Sequence, residues 1–289
     1  MFGHTPVLAE QVIRFLDPSP GGRFIDATLG AGGHSRAILE GTAPDGKLLA
    51  IDQDESALTQ AREELSSFTP RVVFVHSNFR DIAAIAAGHG FLQCDGVLAD
   101  IGISSMMVDD PSRGFSFMRE GPLDMRMDRT QSLTAAEVLN THYEKEIANI
   151  LYNYGEERRS RPIARSIVRS RPLQTTTDLA RAIERVTGGP RHGRIHPATR
   201  TFQALRIFVN DELRNLELFL DSSMSVVRSG GRVVLITFHS LEDRIVKQKF
   251  RAPAVAGHVL TKKVVIANEE EVQRNPRARS AKLRAWERS

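Results

Sequence analysis

The fold is decided by the stretch Phe24-Ile-Asp-Ala-Thr-Leu-Gly-Ala-Gly-Gly-His34, in which an apolar run breaks into a glycine-rich turn. The run predicts a buried strand over Arg23–Ala27, and a second predicted strand, Lys47–Asp52, ends in an acid. Glycines let the backbone approach a ligand closely. An acid at the end of the second strand can accept hydrogen bonds from ribose hydroxyls. The stretch therefore predicts a pocket for a nucleoside-bearing cofactor.

The glycine pattern favours S-adenosylmethionine over a dinucleotide. The third glycine of the dinucleotide fingerprint G-x-G-x-x-G would stand at position 35, where this chain has Ser35. Asp26 lies four residues before Gly30, and its carboxylate can attract the ammonium of an amino-acid tail, directly or through water. Two alternatives stay open at this point: an NAD-dependent dehydrogenase, and a strand-to-helix turn that binds no ligand.

The composition is that of a globular protein. Hydrophobic residues make up 41% and charged residues 26% of the 289 residues, enough for one large domain or two ordinary ones. The only cysteine, Cys94, excludes a disulfide framework within the chain and suits a reducing compartment. No secretory signal and no apolar run long enough to span a bilayer is visible. We therefore expect a cytoplasmic protein without a membrane partner.

The positive charge is concentrated in one segment. The chain has a net charge of +4, but residues 158–206 contain twelve arginines, no lysine and two acids. The planar guanidinium group suits phosphates and stacks on bases, so the segment predicts a nucleic-acid partner. A solvated helical surface is the alternative.

Alternating strands and helices predict an α/β fold with a mostly parallel sheet. No convincing strand lies between Ser104 and Gly193, and helices are expected there instead, one region over Thr134–Tyr154 with Thr134 and Glu137 as a capping box. A helix near Pro197–Leu220 and a turn at Gly230-Gly231 are predicted to lead the chain back to the sheet. We predict an all-helical insertion over 104–195, which separates a first core part, 1–103, from a second, 196–289. The predicted strands are Arg23–Ala27, Lys47–Asp52, Arg71–His76, Gly96–Ile101 and Arg232–Phe238, with two more in the tail, Val259–Ala267 and Ala281–Trp286.

Polar side chains follow the fourth and fifth predicted strands. Asp100 ends the fourth strand and is expected over the same pocket as the glycine turn, with Ser104 shortly after it. A helix N-cap without a chemical role is the alternative for Asp100. His239 follows the fifth strand, and we favour a residue that shapes the site over a catalytic base. Neither a G-x-S-x-G hydrolase elbow nor the ligand spacing of a zinc site is present, and we predict no metal.

Two further segments suggest contacts with a nucleic acid. The loop after Asp100 carries Phe115 and Phe117, which can stack on a base or serve as packing anchors. Arg200 and Arg206 share one face of a predicted helix with Gln203, and that face can line an RNA groove.

Several long strings together resemble the RsmH (MraW) family, the bacterial 16S rRNA cytosine-N4 methyltransferases. The strings are DATLGAGGHS, LLAIDQD, GFSFMREGPLDMRMD, HPATRTFQALRI, FHSLEDRIVK and NPRARSAKLR, and the match runs from His4 nearly to Arg288. The resemblance implies a class I methyltransferase fold, Rossmann-like with an inserted helical domain that recognises RNA. It also implies S-adenosylmethionine as methyl donor and a cytosine N4 in the decoding region of the small ribosomal subunit as acceptor.

The residue patterns and the resemblance together give a set of expected site residues. Met107 stands where the family has a glutamine that touches the cofactor, and a methionine cannot supply that amide hydrogen bond. A non-catalytic rRNA-binding or ribosome-assembly factor therefore remains an alternative, and we expect a monomer or a homodimer. The expected cofactor-binding residues are Gly30, Gly32, Gly33, His34, Asp52, Phe79, Asp100 and Met107. The expected catalytic residues are Asp100, Ser104 and His239, and the expected substrate-binding residues are Arg113, Phe115, Phe117, Arg126, Arg200 and Arg206.

Overall fold

A computed structural model describes residues 6–189 and 195–289, and the chain divides into two compact units. The sheet unit contains the described residues up to Gly102 together with Leu213–Ser289, and the helical unit is Ile103–Glu212. The predicted insertion includes residues 190–194, which lie outside the described residues. Among the helices that the structure describes, none combines the length and the apolar character needed to cross a membrane.

The sheet unit is built on eight strands. Their order in the sheet is β3-β2-β1-β4-β5-β8-β6, and β7 pairs with β8. Strands β1 to β5 are parallel, whereas β8 runs antiparallel to β5, so the predicted α/β fold of a class I methyltransferase is confirmed. The strands are β1 (Arg23–Asp26), β2 (Lys47–Asp52), β3 (Val72–His76), β4 (Cys94–Asp100), β5 (Val227–Thr237), β6 (Gly257–Val259), β7 (Val265–Ile266) and β8 (Lys282–Arg288).

The helices divide between the two units. The sheet unit holds α1 (Ala9–Leu16), α2 (Gly33–Gly41), α3 (Glu55–Glu64), α4 (Ile82–Gly88) and, after the helical unit, most of α11 (Glu212–Val226), α12 (Ser240–Arg251) and α13 (Glu269–Arg274). The helical unit holds α5 (Ser105–Asp109), α6 (Ala135–Thr141), α7 (Glu144–Gly155), α8 (Ser160–Arg169), α9 (Thr176–Thr187) and α10 (Thr199–Val209).

Alternating strand residues build one apolar layer on each face of the sheet. Ile25 and Val97 face a layer that includes residues of α4, α11 and α12. Phe24 and Leu98 face the opposite layer, with residues of α1, α2 and α3. Because both faces are covered, the strands read in the sequence as continuous apolar runs.

The helical unit has its own apolar core and extends further along the chain than predicted. The predicted insertion ends at 195 and leaves the next helix to the second core part, but Phe202, Leu205 and Val209 of α10 are buried in the core of the helical unit. The single helix predicted near Pro197–Leu220 is also wrong. The chain breaks after α10 at Asp211, which has a φ of 48° in the left-handed region.

Two further predictions about the strands need correction. The predicted strand Val259–Ala267 is only β6 and β7, with non-strand residues between them. The predicted turn at Gly230-Gly231 lies within β5, where its register against β4 shifts and Gly230 has a φ of 74°. Such an irregularity requires the conformational freedom of glycine.

Candidate cofactor-binding site

Three acids stand at the carboxyl ends of neighbouring parallel strands in the sheet unit. Strand β1 lies between β2 and β4, and Asp26 is in register with Ala50 and Leu98. Asp52 and Asp100 each lie two residues beyond those positions, on either side of β1. The carboxyl edge is where parallel α/β sheets bind ligands. The structure therefore brings Asp52 and Asp100 to the same edge of the sheet.

The glycine turn lies at this edge and contacts Asp52 directly. The Gly30 amide donates a hydrogen bond to Asp52 Oδ2 at 2.8 Å, and Gly30 and Gly32 have positive φ values of 51° and 85°. A Cβ at Gly30 would meet no atom within 4 Å, so there is open space over the turn. Gly33 and His34 begin α2, where backbone amides are not yet used within the helix.

Asp26 binds the glycine turn and the start of α2 through hydrogen bonds to its carboxylate. Its Oδ2 accepts a hydrogen bond from Ser35 Oγ at 2.6 Å, and its Oδ1 accepts one from the Thr28 amide at 3.2 Å. Thr28 Oγ1 in turn accepts from the Asp100 amide at 2.6 Å. Burial raises the pKa of Asp26 to about 6, although the hydrogen bonds from Ser35 and Thr28 act in the opposite direction. Thr28 and Ser35 were not among the predicted site residues, and their position beside the glycines was the available signal.

His34 and Asp100 present buried polar atoms that lack a partner. His34 Nε2 lies 3.8 Å from Asp100 Oδ2, which is beyond hydrogen-bonding distance. Both ring nitrogens of His34 and Oδ1 of Asp100 are buried and accept or donate no hydrogen bond within the described part of the chain. Because buried polar atoms are nearly always hydrogen-bonded, three unpartnered atoms in one place indicate a polar ligand.

Burial also sets the protonation of these groups. It lowers the pKa of His34 to about 4, so the imidazole is neutral at pH 7. Burial, and then the negative charges of Asp26 and Glu242, raises the pKa of Asp100 to about 8. Burial raises the pKa of Asp52 to about 6, although the amides of Asp54 and Gly30 favour its ionised form. At pH 7 His34 and Asp100 are therefore mostly neutral, whereas Asp26 and Asp52 are mostly ionised.

Phe79 lies on the segment that follows β3, beside the loop that follows β2. The Ser77 amide donates to the Asp52 carbonyl at 3.0 Å, and Asn78 Nδ2 donates to Gln53 Oε1 at 2.9 Å. These bonds tie the two segments together. The Phe79 ring is half-buried and packs edge-on against Phe219, with centroids 5.2 Å apart. Its position suits an aromatic surface for a base near the Asp52 carboxyl.

His239 caps a helix. Its Nδ1 accepts a hydrogen bond from the Glu242 amide at 3.4 Å, and its Nε2 lies 2.9 Å from Glu242 Oε1. Glu242 Oε2 accepts from the amides of Phe238 and His239 in return. This reciprocal arrangement fixes the start of α12 at the carboxyl end of β5. The contacts favour a structural role, and a catalytic role for His239 stays a prediction.

Ser104, Met107, Arg113 and Phe115 belong to the helical unit. Ser104 Oγ accepts from the Met107 amide at 3.2 Å as the N-cap of α5, and Met107 and Phe115 are buried in the core of that unit. Arg113 is also buried, and it donates to the carbonyls of Arg126 and Met127 at 3.0 and 2.8 Å. The contacts of these residues build the fold of the helical unit, and their functional roles stay predictions.

Two of the other predicted RNA-contacting arginines are paired within the helical unit. Arg126 Nε lies 2.7 Å from Asp124 Oδ1, and Arg206 makes two 2.8 Å hydrogen bonds to Glu212. Phe117 stacks on a ring of the same unit, that of His196, at 4.4 Å. Arg200 is exposed and donates to the Glu156 carbonyl at 3.3 Å. Contact of these residues with a substrate stays a prediction.

The exposed arginines of α8 were not among the predicted site residues. Arg161, Arg165 and Arg169 are exposed and four residues apart, so they form a stripe on one helix face. Ile163 and Ile167 are buried on the other side. The four-residue spacing was the available signal, and we call these three residues the α8 arginine stripe.

Comparison with known proteins identifies the family. The family model described as MraW methylase family matches residues 1–289. Ribosomal RNA small subunit methyltransferase H of Nostoc sp. (strain PCC 7120) is 54% identical over 291 residues, which cover 100% of this chain and 93% of that protein. The protein of the same name from Thermomicrobium roseum is 50% identical, with 99% and 93% covered. The solved structure of PH0851 is similar with a TM-score of 0.50 at 13% identity, and the match covers 99% of this chain and 46% of the PH0851 chain. This similarity is one of fold alone. The chain belongs to the MraW methylase family.

Proposed function

We propose that this chain transfers a methyl group from S-adenosylmethionine to the exocyclic N4 of a cytosine in the decoding region of 16S rRNA. Family membership makes the chain a methylase rather than a dehydrogenase. Relatives that share about half of their residues with nearly the whole chain are named for methylation of small-subunit ribosomal RNA. The choice of cytosine N4 rests on the resemblance of the sequence motifs.

The observation that carries the proposal is the group of unpartnered polar atoms on His34 and Asp100 beside the glycine turn. These atoms, the turn amides, the Asp52 carboxyl and the Phe79 ring fit the polar and aromatic parts of an adenosyl amino acid. In the proposal Asp52 accepts hydrogen bonds from the ribose, Phe79 packs on the adenine, and the turn from Gly30 to His34 holds the remainder. S-adenosylmethionine, when bound, supplies an electrophilic methyl group on a positively charged sulfonium.

Asp100 is the proposed acceptor for the hydrogens of the cytosine amine. The N4 lone pair is delocalised into the ring, so an acceptor that holds the N4 hydrogens favours a pyramidal, more nucleophilic nitrogen. Only the ionised carboxyl acts in this way at both oxygens, and a pKa of about 8 makes that form more abundant as the pH rises. A neutral His34 places no positive charge beside a cationic cofactor. A carbonyl in 101–104 is the alternative acceptor.

The proposed substrate is RNA of the small ribosomal subunit, bound by arginines of the helical unit. A base that reacts at its exocyclic amine must first leave its stack. The α8 arginine stripe supplies three exposed cations for phosphates. We place the reaction in the cytoplasm, with the protein acting as a monomer or a homodimer.

A transfer assay tests the function. Purified small subunits are incubated with the protein and methyl-labelled S-adenosylmethionine, and the RNA is digested to nucleosides. We expect the label in N4-methylcytidine. Label in another nucleoside would contradict the proposed acceptor. Tight binding without transfer would favour a non-catalytic assembly factor. Met107, which stands where the family has a glutamine, motivates this alternative.

A further inference from the structure

A second cationic feature lies in the sheet unit, outside the arginine-rich segment. Residues 244–268 contain six lysines and arginines and no acid. Residues of this stretch, together with Arg284, line a pocket of about 210 Å³ between the end of α12 and the strands at the edge of the sheet. The lining residues are Lys247, Phe250, Arg251, Val259, Thr261, Lys262 and Arg284. We call this feature the basic pocket.

Three cations of the basic pocket have no acid partner. Lys247, Arg251 and Lys262 are exposed at its rim, and none of them forms an ion pair with a described residue. Three cations without an acid partner around one concavity create a local positive potential. The rim therefore favours an anion.

The floor of the basic pocket supplies oriented donors. Arg284 uses Nε and one terminal nitrogen on Asp243, at 2.7 and 3.1 Å, and no described residue accepts from its other terminal nitrogen. Thr261 is buried, and its Oγ1 accepts from the Ala285 amide at 3.2 Å, which leaves the hydroxyl hydrogen free to donate. A fixed guanidinium and a hydroxyl, together with the exposed rim cations, are the donor types that hold a phosphate.

The basic pocket is separate from the candidate cofactor edge. Helix α12 begins at the carboxyl end of β5, where His239 is the N-cap, and ends at Arg251. Twelve residues of helix span roughly 16 to 18 Å. A nucleic-acid strand that presents one base at the cofactor edge can cover that distance with a few nucleotides, so its backbone can reach the pocket.

We propose that the basic pocket binds a backbone phosphate of the substrate RNA, a few nucleotides away from the methylated base. The proposal rests on the proposed function, because RNA is the anion that it commits to. It adds to the helical unit a second, independent point of backbone contact on the sheet unit. Such a contact positions the RNA without reading its sequence.

The test compares two variants of equal charge. The pocket variant is Arg251→Gln/Lys262→Gln, and the control variant is Arg279→Gln/Lys47→Gln, which removes one exposed arginine and one exposed lysine elsewhere in the sheet unit. Binding to purified small subunits and to a single-stranded 16S rRNA fragment is measured without cofactor over about 50 to 200 mM salt. We expect the Kd of the pocket variant to rise several-fold and its salt slope to fall by about 0.7 for one lost phosphate contact. The control variant is expected to keep the slope of the unmutated protein.

Three outcomes would overturn the proposal. One is an equal loss in both variants, since that indicates only a general field. Another is unchanged RNA binding by the pocket variant. This outcome overturns the proposal even if inorganic phosphate raises the Tm of the unmutated protein and not that of the variant, because the pocket then binds free phosphate but not RNA. The third is an unmutated protein that binds no RNA. The exposed single exchange Lys247→Glu, expected to weaken binding in the same direction, serves if the double variant does not fold.

The two proposals fail separately. RNA binding is measured independently of methyl transfer. If the protein binds subunits without methylating them, the proposed function is wrong, and the pocket proposal is still tested by the binding of the variants. If the protein methylates RNA and the pocket variant binds RNA like the control variant, only the pocket proposal is wrong.

Discussion

The carboxyl edge of the sheet unit and the two arginine pairs of the helical unit use polar side chains in opposite ways. At the carboxyl edge of the sheet unit, both nitrogens of His34 and one oxygen of Asp100 are buried without a partner. In the helical unit, Arg126 and Arg206 make bidentate pairs with Asp124 and Glu212. Both regions carry polar motifs in the sequence. Unmet hydrogen-bonding capacity, rather than the presence of polar residues, therefore distinguishes the sheet edge from the paired arginines.

The energetic consequence differs in the same way. A buried polar group without a partner costs about 1 to 3 kcal/mol, which a ligand that supplies the missing bonds can recover as binding free energy. A paired and nearly buried arginine already contributes to folding, and removal of one partner leaves an uncompensated charge. Substitutions at the sheet edge should therefore affect activity, whereas those at the paired arginines should affect stability.

The largest effect is expected for Asp100→Asn, which keeps the size of the side chain and removes its charge. We expect single-turnover methyl transfer to fall by about 10²- to 10³-fold at saturating cofactor, as for loss of one group that stabilises a transition state. The exposed exchange Asp45→Asn is the control and should leave the rate unchanged. Full turnover by Asp100→Asn would remove Asp100 from the mechanism.

The next effect tests the other side of the comparison. The ion pair of Arg126 with Asp124 has side chains only 19% and 10% exposed, so Arg126→Ala leaves a nearly buried carboxylate. We expect the free energy of unfolding to fall by about 3 kcal/mol, measured by urea titration. Arg129→Ala, at an exposed position of the same loop, should cost less than about 0.5 kcal/mol. A stable Arg126→Ala protein with weakened RNA binding would instead make Arg126 a substrate contact.

Substitution of the α8 arginine stripe should weaken RNA binding and leave stability unchanged, which is the reverse of the effect expected at Arg126. Exchange of all three arginines for glutamine is expected to lower the slope of log affinity against log salt by about 2, because each contact with a single-stranded phosphate contributes about 0.7. Stability should stay within about 0.5 kcal/mol, since the stripe is exposed. An unchanged salt slope would contradict a role of the stripe in RNA binding. The matched control removes three exposed arginines of the sheet unit: Arg14, Arg62 and Arg279.

The last prediction concerns the pH dependence of stability. The pKa of Asp100 is raised from 3.8 to about 8 in the folded chain, so folding favours the protonated form. Its contribution is complete below about pH 4 and is lost progressively as the pH rises to about 8. The difference in unfolding free energy between the unmutated protein and Asp100→Asn should therefore shift against the unmutated protein between pH 5 and pH 8. Urea titrations at several pH values measure this, and a difference that is independent of pH would mean that the carboxyl is ionised throughout.

Much of the sheet unit could be predicted because its signals are local. The predicted strand Lys47–Asp52 is observed with the same bounds, and Arg23–Ala27 differs by one residue.

In the helical unit the start of a helix could be predicted, but not its end. Thr134 is the N-cap of α6, as its spacing to Glu137 predicts. The predicted helical region Thr134–Tyr154 nevertheless divides into α6 and α7, because His142 and Tyr143 adopt extended backbone conformations that helical periodicity does not reveal.

The sequence by itself determined the order of strands and helices, the glycine turn and the acids at the strand ends, because these depend on short-range periodicity and on where glycine and carboxylates stand along the chain. Only the tertiary structure decided which polar residues are satisfied. Asn210, for example, donates to the Met125 carbonyl and accepts from the Met127 amide, and α10 lies in the core of the helical unit. Such pairings join residues far apart in the sequence and depend on which helix faces become buried. For the same reason only the folded chain separates the exposed arginines of α8 from the buried Arg113.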